Sequence, residues 1–178
     1  MHDTVRAWAR QAVGRKPQPS GAIVDSQTVR TSEQGGTRGY DGAKKVCGRK
    51  RHLLVDTLGL VLMVVITAAN VQDRDGARTL LSGLTTHFRR LRVIWADGAY
   101  ASIVEPVRQQ FGWVLEIVRR SADLKGFQVL PHRWVVERTL GWLGRYRRLS
   151  RDYEHTVSSS EAMTYPASIR RMLKLATN

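Results

Sequence analysis

The sequence predicts a mixed α/β domain, a five-stranded sheet with helices on both faces. Three observations predict it. Three apolar, β-branched segments follow one another before any clear helical pattern. Strand-like and helix-like segments then alternate, and two helical patterns close the chain. The order β-β-β-α-β-α-β-α-α places hairpin-linked strands first and crossover-linked strands after them, which builds a mixed sheet.

Residues 1–20 are polar and basic and end in GRKPQPSG, so they read as an entry linker after a short helix. The run 22–29, AIVDSQTV, is a first strand interrupted by Asp25. Residues 31–45 are rich in glycine and charge and read as a loop, long for a hairpin connection. Residues 51–57 and 58–69 flank a turn near Thr57 and Gly59 and form a hairpin, strands two and three. Asn70 or Asp73 is placed to cap the helix that carries Ala77, Leu80, Leu81 and Leu84. Residues 91–97 make strand four. Residues 102–111 make a short helix with Ser102 at its cap, and Pro106 falls in its first turns, where proline is tolerated. Residues 113–120 make strand five. A long helix over 132–151 and a last one over 160–175 complete the domain.

The chain has 178 residues, enough for one domain with a sizeable core. Lys and Arg number 29 against 15 Asp and Glu, a formal charge of +14. Such an excess repels itself in a compact fold and points to a polyanionic partner, nucleic acid first. A membrane surface fits less well, because no basic segment shows a clean apolar helical face. The longest apolar run, 58–69, falls short of the ~20 residues that a spanning helix needs. No secretory signal opens the chain. Cys47 is the single cysteine, which excludes an internal disulfide and a multi-cysteine zinc site. A cytoplasmic protein is expected.

Three carboxylates stand in places that need explaining. Asp97 ends strand four in WADGAY, where an unpaired buried carboxylate would be costly. At the C-terminal rim of a sheet it can instead face solvent or a cation, and ligands gather at that rim in α/β sheets. Gly98 and Ala99 leave space beside it, and Tyr100 is placed to border the same cavity. Asp25 interrupts strand one and meets Asp97 if strands one and four are neighbours. Glu137 lies on the long helix beside the stripe Val136, Leu140, Leu143, with Arg133 one turn before it and Gly141 one turn after. Carboxylates meeting at one point suit Mg²⁺ or Mn²⁺. Two such ions activate an attacking oxygen and stabilise a leaving one, as phosphodiester chemistry requires. Asp56 is a rival carboxylate that a hairpin turn explains. Asp73 and Asp75 read as helix-start residues.

The segments AIVDSQTV, RGYDGAKKVCGRKRHLLVDTLGL, NVQDRDGA, VIWADGAYA and RWVVERTLGWLGRYRRLSRDYE resemble bacterial insertion-sequence DDE transposases, specifically the insertion-sequence-five-like group. The resemblance runs from about Pro17 to the C-terminus. It implies an RNase H-like fold over 21–178, with residues 1–20 a linker or remnant of a further N-terminal region. It implies a catalytic triad of Asp25, Asp97 and Glu137 binding Mg²⁺ or Mn²⁺, two ions, with Arg133 positioning phosphate or Glu137. Related groups carry Tyr-x2-Arg-x3-Glu-x6-Lys on this helix. Here Arg133 and Glu137 match, while Leu130 and Gly144 occupy the Tyr and Lys positions, and Arg145 is the candidate substitute for the Lys. The implied activity is phosphodiester cleavage at insertion-sequence ends and strand transfer into target DNA. The implied partners are the terminal inverted repeats, target DNA and a second copy in a homodimer, with the chain associated with the nucleoid. A truncated or second-frame product is one expectation. A nuclease that only hydrolyses, and a non-catalytic basic DNA-binding remnant, are the alternatives.

The basic clusters supply the expected DNA contacts: Lys44, Lys45, Arg49, Lys50 and Arg51 in one, Arg145, Arg147, Arg148 and Arg151 in the other. Of these, Lys44, Lys45, Arg49, Lys50, Arg145 and Arg148, with Tyr40 of the RGYD loop, are the named DNA-binding candidates. Trp134 and Trp142 are expected to pack in the core, and His52 and His132 to be structural.

Overall fold

The computed structural model describes residues 1–33, 36–84, 87–118 and 132–177. Leu130, the end of expected strand five at 119–120 and the link that follows it lie outside the described residues.

The strands are β1 (Gly21–Arg30), β2 (Gly39–Asp41), β3 (Val46–Asp56), β4 (Val61–Ala68), β5 (Val93–Ala96) and β6 (Val114–Ile117). The helices are α1 (His2–Ala12), α2 (Asp73–Ser82), α3 (Val104–Phe111), α4 (Arg133–Gly144) and α5 (Val157–Thr177). A 3-10 turn, Gly98–Ile103, precedes α3. The main sheet runs β4-β3-β1-β5-β6, antiparallel across the first three strands and parallel across the last three. This is the mixed sheet that the element order predicts.

Strand β1 is the hub. Alternate side chains go to opposite faces. Ala22 and Val24 join a core with Leu54, Leu80, Leu81, Ile94 and Ile103, under α2 and α3. Ile23 joins Leu53, Val55, Val136, Leu140 and Leu143, under α4 and α5. Helices therefore cover both faces. Helix α1 packs through a third cluster, where Ala9 meets Leu60 and Met172.

The structure departs from the expected elements in several places, among them the short helix, where Ser102 falls inside the 3-10 turn and Ile103 is the N-cap of α3. The loop expected over 31–45 contains β2, so among the described residues the sheet has six strands rather than five. Asp41 organises its turn, accepting from the Thr28 hydroxyl at 2.6 Å and from the Ala43 and Lys44 amides. Strand β3 starts at Val46 rather than 51, because its polar early residues find internal partners. Arg49 donates to the carbonyls of Thr37, Glu154 and His155 and pairs with Asp152 at 3.1 Å. Arg51 donates to Leu149 O at 2.7 Å. Helix α4 ends at Gly144 rather than 151, two glycines having weakened its last turns, and Arg51 holds the chain that follows. Helix α2 is capped by neither expected residue. Its N-cap is Gln72, and Asp73 is its first helical residue.

Helix α1 is tied down by a buried pair. Asp56 is fully buried, paired with Arg10, and accepts from the Leu58 and Leu60 amides at 2.9 Å each. This confirms a turn-organising role for Asp56 and adds an inter-element one. Nearby, His52 is fully enclosed and bonds Thr67 at 2.9 Å, and burial pushes its pKa down to about 4.

Both buried groups have measurable consequences. Asp56→Ala strands Arg10 and should cost ~3–5 kcal/mol, read by urea denaturation. His52 stays neutral in the fold but protonates near 6.5 when unfolded, so its contribution is lost as pH falls from 6.5 towards 4. Stability measured across that window should drop by up to about 3 kcal/mol more in the parent than in His52→Gln.

Candidate active site

The strand register delivers the first two carboxylates. β1 and β5 are parallel, with Ile23 opposite Trp95. Two residues further along each strand stand Asp25 and Asp97, on the same face and at the same rim. Since Asp25 shares its face with Ile23, it points towards α4.

The question of why a strand should end on a carboxylate is answered by the backbone behind it. Asp97 caps the 3-10 turn, its Oδ1 accepting from the Ala99 amide at 2.9 Å. Its Oδ2 remains directed elsewhere, 3.6 Å from Arg133 Nη2. Asp25 is anchored in the same manner, Oδ1 accepting from the Ser26 amide at 2.7 Å and Oδ2 lying 3.8 Å from the same Arg133 nitrogen. Glu137 approaches it from its own helix at 3.3 Å. One guanidinium nitrogen therefore lies within 3.8 Å of all three sequence-distant carboxylates.

Arg133 is placed by its helix. The preceding residue, His132, takes a positive φ of 64° and stacks flat on Trp95, centroids 4.1 Å apart. Trp95 in turn fits over Gly21, where a side chain would collide with the indole. The start of α4 is thus seated on the same two strands that carry Asp25 and Asp97.

The electrostatics are strained. Burial pushes the Asp25 carboxyl up to about 6, and the charges of Asp97 and Glu137 push the same way. The Ser26 amide and Arg133 oppose them. The contacts of Arg133 are longer than hydrogen bonds, and its Nε is buried without a partner. Among the described residues no three acidic, histidine or cysteine side chains close tightly enough to chelate a metal as they stand. Yet the donor set is all carboxylate oxygen, the chemistry that hard divalent cations take. A cation already occupies the middle of it. The residues fit such an ion by chemistry and convergence.

The remaining expected residues divide sharply. Tyr40 is exposed, on β2, and Lys44 and Lys45 stand in the exposed turn after it. Arg145 and Arg148 are exposed beyond α4, Arg148 bonding Glu154 at 2.9 Å. Arg49 and Lys50 are buried, so neither presents its charge to a partner. Lys50 donates to Val71 O at 2.8 Å and pairs with Asp73 at 2.9 Å. Tyr100 approaches the carboxylates from the core side. It is buried in the core under α2, with its phenol pushed upward by burial and by nearby Asp25, Asp73 and Asp97.

Two features lay outside the sequence reading. Asp73 accepts from the Ser26 hydroxyl at 2.7 Å, so the residue after Asp25 is pinned from the opposite face. The only sequence signal was the acidic start of α2. Trp134 is exposed rather than core, and Arg138 lies over both Trp134 and Trp142. Their i, i+4, i+8 spacing was the signal.

The chain has recognisable relatives. A family model for the transposase DDE domain matches residues 16–165. A Burkholderia cepacia protein, provisionally assigned as the transposase for insertion sequence element IS402, is 32% identical over 114 residues. The match covers 60% of this chain and 54% of that protein, so the chain spans about half the length of this curated relative. The crystal structure of the catalytic domain of Mos1 mariner transposase superposes with a TM-score of 0.48 at 10% identity. That superposition covers 98% of this chain and 87% of the other.

Gly141, one turn past Glu137, has nothing within 4 Å of where a Cβ would stand. The fold itself does not require glycine there. Gly141→Ala should therefore stabilise the protein by ~1 kcal/mol, seen as a raised thermal midpoint.

Proposed function

The chain belongs to the transposase DDE-domain family, and from that premise we propose that it is the catalytic part of an insertion-sequence transposase, cutting and joining DNA with divalent cations. One observation carries the proposal. Asp25, Asp97 and Glu137, from two strands and a helix, meet around a single positive charge.

In this reading Asp25 and Asp97 hold Mg²⁺ or Mn²⁺, two ions in the full site, and Glu137 completes it. Bound ions of this kind supply Lewis acidity and an activated attacking oxygen. The protein's own residues supply the rest. Ser26 and Ala99 amides fix one oxygen of each aspartate, leaving the other free to ligate. Arg133 keeps the three negative charges together and, with its long contacts, is free to turn towards a phosphate.

Cleavage consumes one water per phosphodiester and leaves a 3′-hydroxyl and a 5′-phosphate. Strand transfer then exchanges one phosphodiester for another, the 3′-hydroxyl attacking target DNA as a second target 3′-hydroxyl departs. The excess of cations serves the DNA backbone, through Tyr40, Lys44, Lys45, Arg145 and Arg148. The terminal inverted repeats and target DNA are the substrates, a homodimer holds two ends, and the chain works in the cytoplasm on the nucleoid. No helix among the described residues is long and apolar enough to cross a membrane. Helix α1, packed against Leu60 and Met172, belongs to the folded domain rather than to a linker.

Asp97→Asn should lower Mn²⁺-dependent nicking by at least ~100-fold, as loss of even a supporting group at a metal site can. Bulk DNA binding, measured by fluorescence anisotropy, should persist. Joint loss of binding and cutting would assign Asp97 a structural role instead. A strand-joining product separates the transposase from a nuclease that only hydrolyses.

A further inference from the structure

On the far side of α4 a cleft of about 510 Å³ opens between α4 and α5. Arg145, Arg170, Arg171 and Lys174 line it, with Trp142 and Tyr146, and no acidic residue does. None of these four cations pairs with a carboxylate among the described residues.

The arrangement is costly without a counter-charge. Arg171 lies against the Trp142 ring, which Arg138 covers as well. The Nε atoms of Arg171 and Arg138 are buried without hydrogen-bond partners. Burial, and then the charge of Arg138, push the Arg171 pKa down to about 10. Like charges so placed, with unused donors beside aromatic walls, are complementary to an anion that brings several acceptors.

The position of the cleft identifies that anion. Glu137 and Trp142 share α4 but are rotated by ~140°, on opposite flanks of its exposed crest. Arg145 stands about 12 Å along the helix from Glu137, a reach of roughly three to four base pairs of one strand. Between them Gly141 leaves the crest bare. A strand held at the carboxylates can cross the helix there.

We propose that the α4–α5 cleft is a phosphodiester-binding site that grips DNA outside the carboxylate cluster, through Arg145, Arg170, Arg171 and Lys174. The choice of DNA rests on the function proposed above. The cleft itself rests on its unpaired cations.

The test is the salt dependence of binding to a duplex oligonucleotide, with thermal melting as a check on folding. Arg170→Gln/Lys174→Gln removes two exposed cleft cations. It should flatten the slope of log affinity against log salt by about 2. Arg78→Gln/Arg108→Gln removes the same charge from α2 and α3 and should leave the slope near that of the parent. Equal flattening by both pairs would reduce the effect to net charge and overturn the site. An unchanged slope in the cleft variant would overturn it too. If that variant also elutes as a smaller species than the parent, the cleft is a contact between copies. Should the parent nick no DNA yet show the cleft-dependent slope, the catalytic reading fails and the cleft stands.

Discussion

The parallel pairing of β1 with β5 is the constraint on which the rest depends. Only three residue pairs form it, Gly21 with Val93 through Ile23 with Trp95. That register sets Asp25 beside Asp97, and a slip of one residue would turn one of them to the opposite face. It also sets Trp95 over Gly21, and Trp95 carries the stacked His132 at the head of α4. A small glycine, an indole and an imidazole thus transmit the sheet register to the helix that bears Arg133 and Glu137.

Bringing three carboxylates together opposes folding, and the chain offsets this locally. Two backbone amides, at Ser26 and Ala99, each donate to one aspartate oxygen. One guanidinium balances the remainder. The elevated Asp25 pKa shows that the balance is incomplete, with burial its leading cause. By contrast backbone carbonyls satisfy Arg49 while the Glu154 amide and Ser160 hydroxyl satisfy its partner Asp152, and Lys16 O serves Arg10 while turn amides serve Asp56. The fold therefore completes its structural ion pairs and leaves its candidate catalytic one under-bonded.

Much of the fold was legible in the sequence because short apolar, β-branched runs bounded by turn residues report on strands. Ala22, Val24 and Leu54 face one core and Ile23, Leu53 and Val55 the other, so these runs are apolar throughout because helices cover both faces. Asp25 and Asp97 were legible as interruptions of that pattern. The basic run from Lys44 to Arg51 misled for a definite reason. Its residues divide between an exposed turn and a strand covered on both faces, and sequence adjacency does not register where a strand begins. Lys50 and Arg49 reach internal acceptors at Val71 O and Asp152, residues far along the chain that no local pattern links to them. The same limitation hid the pinning of Ser26 by Asp73, a contact across 47 positions. Tyr100 was read from its neighbours Asp97 and Gly98, and the 3-10 turn buries its ring in the core while its phenol stays near the charges of Asp25 and Asp97.

The short β2–β3 ladder places Cys47 directly opposite Tyr40, and its thiol is free and exposed. Because the chain holds one cysteine, it already possesses a unique chemical handle on the arm that presents Lys44 and Lys45. A maleimide dye attached there would label a single point without any engineered residue, well away from the carboxylates.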